Sequence, residues 1–192
     1  MIGLADLFYS FQGEGSFAGT PAVFVRLAGC NLSCRFCDTD YSLKEMLPIA
    51  GVIARVRELG GACPMLVLTG GEPLAHPHVL DLVSALRADG RRVHIESNGT
   101  IPTELCEDIW LTVSPKERLH ALMAARANEV KLIVDGRVPY EWLDAFSGRE
   151  IPMFLQPEGN KRSNIEIAIA AMQKEPARFR LSLQLHKYAG VK

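Results

Sequence analysis

Apolar residues in this chain come in short runs: Ala22–Leu27, Met65–Leu68, Val93–Glu96, Ile109–Val113, Glu129–Val134, Met153–Leu155 and Phe179–Leu185. Runs of that length, rich in β-branched and aromatic residues, predict strands. Between them lie amphipathic segments that predict helices: Ile49–Leu59, His78–Ala88, Leu119–Ala125, Tyr140–Phe146 and Asn164–Lys174. Pro77 stands where a helix can begin, and Gly60-Gly61 and Gly90 where helices stop. Strand alternating with helix argues for a parallel α/β fold. A closed eight-fold barrel takes ~250 residues. The 192 residues here therefore predict a shortened, open version, a partial TIM-type barrel of about six or seven mostly parallel strands in a single domain spanning 1–192.

In such a fold chemistry gathers at the C-terminal ends of the strands, where the βα loops converge. The polar motifs fall there. Gly29–Thr39 follows the first strand, Thr69–Pro73 the second, Glu96–Thr100 the third, Ser114–Lys116 the fourth and Gln156-Pro157 a later one. Composition narrows the partners. With 48% hydrophobic residues and a net charge of −1, the chain has no basic footprint for nucleic acid or an anionic membrane. No apolar run approaches the ~20 residues of a membrane span. The opening Met-Ile-Gly-Leu-Ala-Asp lacks the basic start and apolar core of a signal peptide, so the expectation is a cytoplasmic protein.

Cys30, Cys34 and Cys37 form Cys-x-x-x-Cys-x-x-Cys. Three thiolates so close together can hold three corners of an iron–sulfur cube, and no fourth cysteine follows at ferredoxin spacing, which leaves one iron open to a ligand. A structural zinc site draws on paired Cys-x-x-Cys units or on Cys with His at a fixed offset, and the nearest histidine is His76. A disulfide set requires an oxidising compartment. Cys63 and Cys106 precede strands where the trio follows one, so in a parallel sheet they belong at the opposite rim and read as small buried hydrophobes. The trio's spacing, with Phe36 inside it, resembles the radical S-adenosylmethionine (SAM) enzymes. That resemblance implies a [4Fe–4S] cluster whose open iron takes the amino and carboxylate groups of SAM, and it implies the same shortened barrel.

Thr69-Gly70-Gly71-Glu72-Pro73 puts paired glycines directly after a buried strand, where a ligand can approach the backbone. Beside the cysteine trio it matches the segment with which radical SAM enzymes bind SAM. The resemblance implies SAM contacts from Phe36, Thr69, Gly71, Glu72, Ser97, Ser114, Lys116 and Gln156. Ahead of the first strand, Tyr9–Ser16 reads as a flexible loop, two glycines around an acid. Arg26 shares strand parity with Ala22 and Phe24, opposite Val23, Val25 and Leu27. An arginine pointing into a barrel is costly unless it meets an anion.

Ser-x-Gln-Gly-Glu-Gly leading to Arg26 and the trio, with Ser182–Lys187 near the chain end, resembles the 7-carboxy-7-deazaguanine synthase family of queuosine and deazapurine biosynthesis. The match spans nearly the whole chain. It implies ring contraction of 6-carboxy-5,6,7,8-tetrahydropterin with release of ammonia, SAM serving as a reusable cofactor. The implied substrate contacts are Gln12, Gly13, Glu14, Arg26, His186 and Lys192. Glu14 suits the guanidine-like edge of the pterin, and Arg26, aided by His186, suits its carboxylate. Thr39 is the implied Mg2+ ligand, with Asp38 as a supporting group or helix cap. His76, His78, His94 and His120 read as exposed or structural. The implied partners are an external electron donor of the flavodoxin or ferredoxin type and a second copy of the chain in a homodimer. Two other readings stay open here: an activase that makes a glycyl radical on a partner enzyme, and a non-catalytic iron–sulfur or zinc module.

Overall fold

Seven parallel strands follow one another across the sheet in a computed structural model that describes residues 1–192. They are β2 (Pro21–Leu27), β4 (Met65–Gly70), β5 (Arg92–Ser97), β6 (Trp110–Val113), β7 (Glu129–Val134), β8 (Met153–Pro157) and β9 (Phe179–Leu181). Two further strands, β1 (Ile2–Phe11) and β3 (Glu45–Leu47), extend the sheet antiparallel beyond β2, in the order β3-β1-β2-β4-β5-β6-β7-β8-β9. The edge strands β3 and β9 do not pair, so the sheet stays open as the chain length requires.

Helices α1 (Ile49–Gly60), α2 (Val79–Ala88), α3 (Ala121–Arg126) and α4 (Arg162–Lys174) lie in the crossovers, and α5 (Leu185–Ala189) follows the last strand. Gly61 ends α1 at φ 48°, and Gly90 at φ 80° follows α2, both conformations that glycine adopts without strain. Alternation along each strand divides the interior in two. Val23, Val25 and Leu27 join Leu66, Leu68, Val93, Ile95, Leu111 and Val113 in one cluster with Val52, Val56, Leu82 and Leu86 of the helices. The other parity faces inward. There Ala22, Met65 and Val67 pack with Phe17 and Phe24 into a small apolar floor, and the positions above them are polar.

Three expectations need correction. The stretch before β2 is largely a strand, since β1 runs to Phe11, and only the residues after it form a loop. The alternation that would have revealed β1 is interrupted by a bulge between Leu4 and Asp6. Leu4 pairs with Leu27 on the helix side, Asp6 with Arg26 on the inner side, so residues of equal parity face opposite ways. The run Phe179–Leu185 splits, because Leu185 N–H donates to Gly13 O at 3.1 Å and opens α5. Tyr140–Phe146 is a 3-10 turn, not an α-helix.

Candidate active site

The C-terminal ends of the parallel strands open onto a cavity of about 410 Å³. It lies within the range of roughly 300–1,000 Å³ usual for small-molecule sites. Cys30, Cys34, Phe36, Cys37 and Thr39 line it from the loop after β2, Thr69, Ser97 and Gln156 from the ends of β4, β5 and β8, and Gly71, Ser114 and Lys116 from the loops after β4 and β6. Gln12, Gly13, Glu14, Arg26, His186 and Lys192 complete it. Of the residues singled out by sequence, Glu72 alone is absent from the lining.

Glu72 is turned inward and 2% exposed. One oxygen accepts from Leu74 N at 3.0 Å and Ser97 Oγ at 2.9 Å, the other from Asn98 N at 2.6 Å. Its burial pushes the carboxyl up, against the pull of these bonds. Glu72 thus fixes the loops after β4 and β5 to each other and presents its neighbours to the cavity. The glycines beside it are likewise explained by the protein itself. A Cβ on Gly70 (φ 145°) would collide with Leu27 O, and one on Gly71 would collide with Gly29 O and lie 2.5 Å from the Cys30 Cβ. Glu72 N–H donates to Gly29 O at 3.2 Å. The paired glycines let the loop after β4 nest against the cysteine loop.

The cysteine loop is tied at several points. Gly29 N–H donates to Tyr41 O at 2.9 Å and Cys37 N–H to Cys34 O at 3.1 Å. Asn31 donates to Thr100 Oγ1 at 2.7 Å and accepts from Asn98 Nδ2 at 3.0 Å. Three soft thiol donors on one braced loop fit an iron–sulfur cluster. Burial raises the Cys30 and Cys34 thiols, so their thiolates need a bound cation to persist at neutral pH. Cys63 is buried on the far side, 3.3 Å from Pro21 O, and Cys106 is exposed beside Arg87 at 3.3 Å. Neither lines the cavity. Lys116 approaches Ser114 Oγ at 2.5 Å and lies 5.7 Å from the Phe36 ring centroid. Burial, and then the nearby Lys131, lowers its pKa to about 8.

On the opposite wall Arg26 lies over the Phe8 ring, 5.5 Å from its centroid, and its buried Nε has no hydrogen-bond partner. Lys192 lies over the same ring at 5.3 Å, pairs with Asp6 at 2.7 Å, and accepts from Ser10 Oγ at 2.5 Å through its main chain. His186 packs so closely on Gly13 that a Cβ there would overlap the imidazole Nδ1. Asp38 pairs with Lys187 and accepts from Gln184 at 3.2 Å, which fastens α5 to the cysteine loop. His94 is buried against Thr112 at 2.6 Å, and His120 caps α3 by accepting from Leu122 N.

The sequence alone assigned no role to Lys131, nor to Glu96 and Gln184 within the motifs Glu96–Thr100 and Ser182–Lys187. Lys131 pairs with Glu14 and, at 3.4 Å, with Glu96. Gln12 donates to Glu96 at 2.8 Å, and Gln184 to Glu14 at 3.1 Å. Burial would push Glu96 up, but the Lys131 ammonium and the Gln12 hydrogen bond outweigh it and hold the carboxyl down at about 2. The same two carboxylates push Lys131 above the usual lysine range against its own desolvation. The parity argument that singled out Arg26 applies equally to Lys131 between Val130 and Leu132, and to Glu96 after Ile95. That signal was in the sequence.

The Radical SAM superfamily matches residues 24–174. A 7-carboxy-7-deazaguanine synthase from Bacteroides thetaiotaomicron is 38% identical over 97% of this chain and 97% of its own length. One from Burkholderia multivorans is 36% identical with the same coverage of both chains. The crystal structure of QueE from Escherichia coli matches with a TM-score of 0.79 and 28% identity, covering 96% of this chain and 94% of that one. A cavity lined by the cysteine trio, on an open parallel sheet of this order, agrees with those likenesses, and the chain belongs to the radical SAM superfamily and, within it, to the 7-carboxy-7-deazaguanine synthase family.

Proposed function

We propose that this chain contracts the ring of 6-carboxy-5,6,7,8-tetrahydropterin to 7-carboxy-7-deazaguanine with release of ammonia. The observation that carries the reading is Arg26, a cation on the inner face whose buried Nε lacks a partner. A buried guanidinium N–H without a partner is costly, and a substrate carboxylate would satisfy it in a bidentate pair. His186, packed on Gly13, would add a hydrogen bond to the same carboxylate. Glu14 would accept the N–H groups of the pterin edge from the other side.

Cys30, Cys34 and Cys37 would hold the [4Fe–4S] cluster, with SAM at its open iron and Mg2+ at Thr39; when bound, these groups supply reductive SAM cleavage and Lewis-acid orientation of the substrate. The residues of the chain bind, orient and exclude water. Phe36, Ser97, Ser114, Lys116 and Gln156, all in the cavity lining, would contact SAM, and Lys116, beside the Phe36 ring, would offer a cation to its carboxylate. Thr69 and Gly71, on the rim at the end of β4, would add contacts to SAM. Glu72 acts at one remove, by holding that rim. Asp38, engaged by Lys187 and Gln184, supports Thr39 instead of competing with it. Exposed Cys37 leaves the loop accessible to an external electron donor of the flavodoxin or ferredoxin type. Exposed Leu43, just before edge strand β3, and Met46 within it favour a homodimer. No helix is long and apolar enough to cross a membrane, and cytoplasmic residence suits an oxygen-sensitive cluster.

An anaerobic assay of the reconstituted protein with 6-carboxytetrahydropterin, SAM and a reductant tests the reading. The expected result is a product lighter than the substrate by the elements of ammonia, with mass and absorbance of 7-carboxy-7-deazaguanine. Release of 5′-deoxyadenosine with the pterin left intact would return the chain to the glycyl-radical activase reading.

A further inference from the structure

The cavity holds a cation that the reading above leaves without a role. Lys131, on β7, has a side chain only 8% exposed, paired to Glu14 and Glu96. An ammonium has three N–H donors, and two are engaged here. A carboxylate offers about four lone-pair positions. Glu14 accepts from Lys131 and from Gln184, Glu96 from Lys131 and from Gln12. Both acids therefore keep open acceptor positions, and Lys131 keeps one N–H. The wall presents carboxylate acceptors directly beside an ammonium donor.

Resting on the pterin reading, we propose that Lys131 is a specificity-determining residue: Glu14 accepts two adjacent N–H groups of a 2-amino-4-oxo-pyrimidine ring, and Lys131, held against Glu14, donates its remaining N–H to the 4-oxo oxygen. The wall then reads a donor–donor–acceptor edge. Glu14 alone would read only the two donors and would not distinguish what stands next to them. A 4-thioxo group in place of the oxo group keeps both ring donors, the exocyclic N–H2 and N3–H, and sets a weak sulfur acceptor against the ammonium. The expected penalty is about 5- to 30-fold in affinity.

The test uses two unreactive ligands that differ only in the atom at position 4, pterin-6-carboxylate and its 4-thioxo counterpart, at a pH where both rings are neutral and keep N3–H. They are titrated anaerobically into the cluster-loaded, SAM-bound protein. The wild type should prefer the 4-oxo ligand by the margin above, and Lys131→Met, which keeps the aliphatic stem but has no donor, should lower the preference to within about threefold. Cluster absorbance and SAM binding on the same samples establish that the variant is folded. Should Lys131→Met fail to take up iron, Lys131→Leu decides instead, because it too lacks a donor and should likewise abolish the preference. A wild-type preference retained in the folded variant overturns the role of Lys131 while leaving the pterin reading in place. Failure of the wild type to bind either ligand overturns both.

Discussion

Arg26 shows how one side chain can serve function against stability. Its Nε is buried without a partner, and such an atom costs ~1–3 kcal/mol. Arg26→Met keeps the packing over Phe8, so its urea midpoint should equal or exceed that of the wild type. Substrate affinity should fall by roughly 3–5 kcal/mol, the cost of removing one partner from a buried charge pair, with the cluster spectrum unchanged. A destabilised variant that still binds substrate would make Arg26 structural. Glu96 works in the opposite sense. Its ordinary value of 4.5 is depressed to about 2 in the folded chain, so the stability it contributes is fully present above pH 4.5 and is lost as pH falls from there toward 2. Glu96→Gln should therefore lose less stability than wild type over that interval. Urea unfolding at a series of pH values measures it, and identical acid slopes would contradict the ionised pairing with Lys131.

At the scale of elements, two glycines should respond to the same substitution with opposite signs. Gly71→Ala forces a methyl group into Gly29 O and the Cys30 Cβ. It should displace the cysteine loop, seen as iron content well below that of wild type after reconstitution. Gly51→Ala, in the first turn of α1, meets only Pro48 and Leu47 at 3.4–3.7 Å and should stabilise by ~0.5–1 kcal/mol in thermal unfolding, as helix propensity dictates. Full iron in the first variant or a lower melting point in the second would contradict these packings. The contrast also marks what a sequence shows. The parallel strands and the crossover helices were legible because a buried sheet writes near-continuous apolar runs. β1 was not, because the bulge at Leu4–Asp6 breaks the alternation by which a strand is recognised. The cysteine trio could be read from local spacing alone. Glu72 could not, since whether a carboxylate faces a cavity or bridges two loops depends on tertiary neighbours that spacing does not encode.

Across the whole molecule, the site is assembled from the two ends of the chain. Gly13 accepts from Leu185 N, Gly15 N–H donates to Ser182 Oγ at 3.0 Å, and Ser10 donates to Lys192. Truncation after Gln184 removes α5 and with it His186, Lys187 and Lys192, but leaves the cysteine loop and its contacts to Gly71 and Asn98. Such a protein should load iron and cleave SAM with a reductant while binding substrate at least tenfold more weakly, about 1.4 kcal/mol. Equal affinity in titrations of the two forms would show that α5 is not part of the site.

The same closure fixes the order in which the enzyme becomes competent during synthesis. The cysteine loop leaves the ribosome roughly 150 residues before Lys187 and β4 about 117 residues before it, and their contacts are local by comparison with those that join Ser10 to Lys192. A chain interrupted between Gln156 and Leu185 would carry every residue assigned to the cluster and SAM while lacking His186 and Lys192 from the pterin side. Uncoupled SAM cleavage is the hazard of that interval, and prompt completion of the polypeptide is the remedy built into the fold.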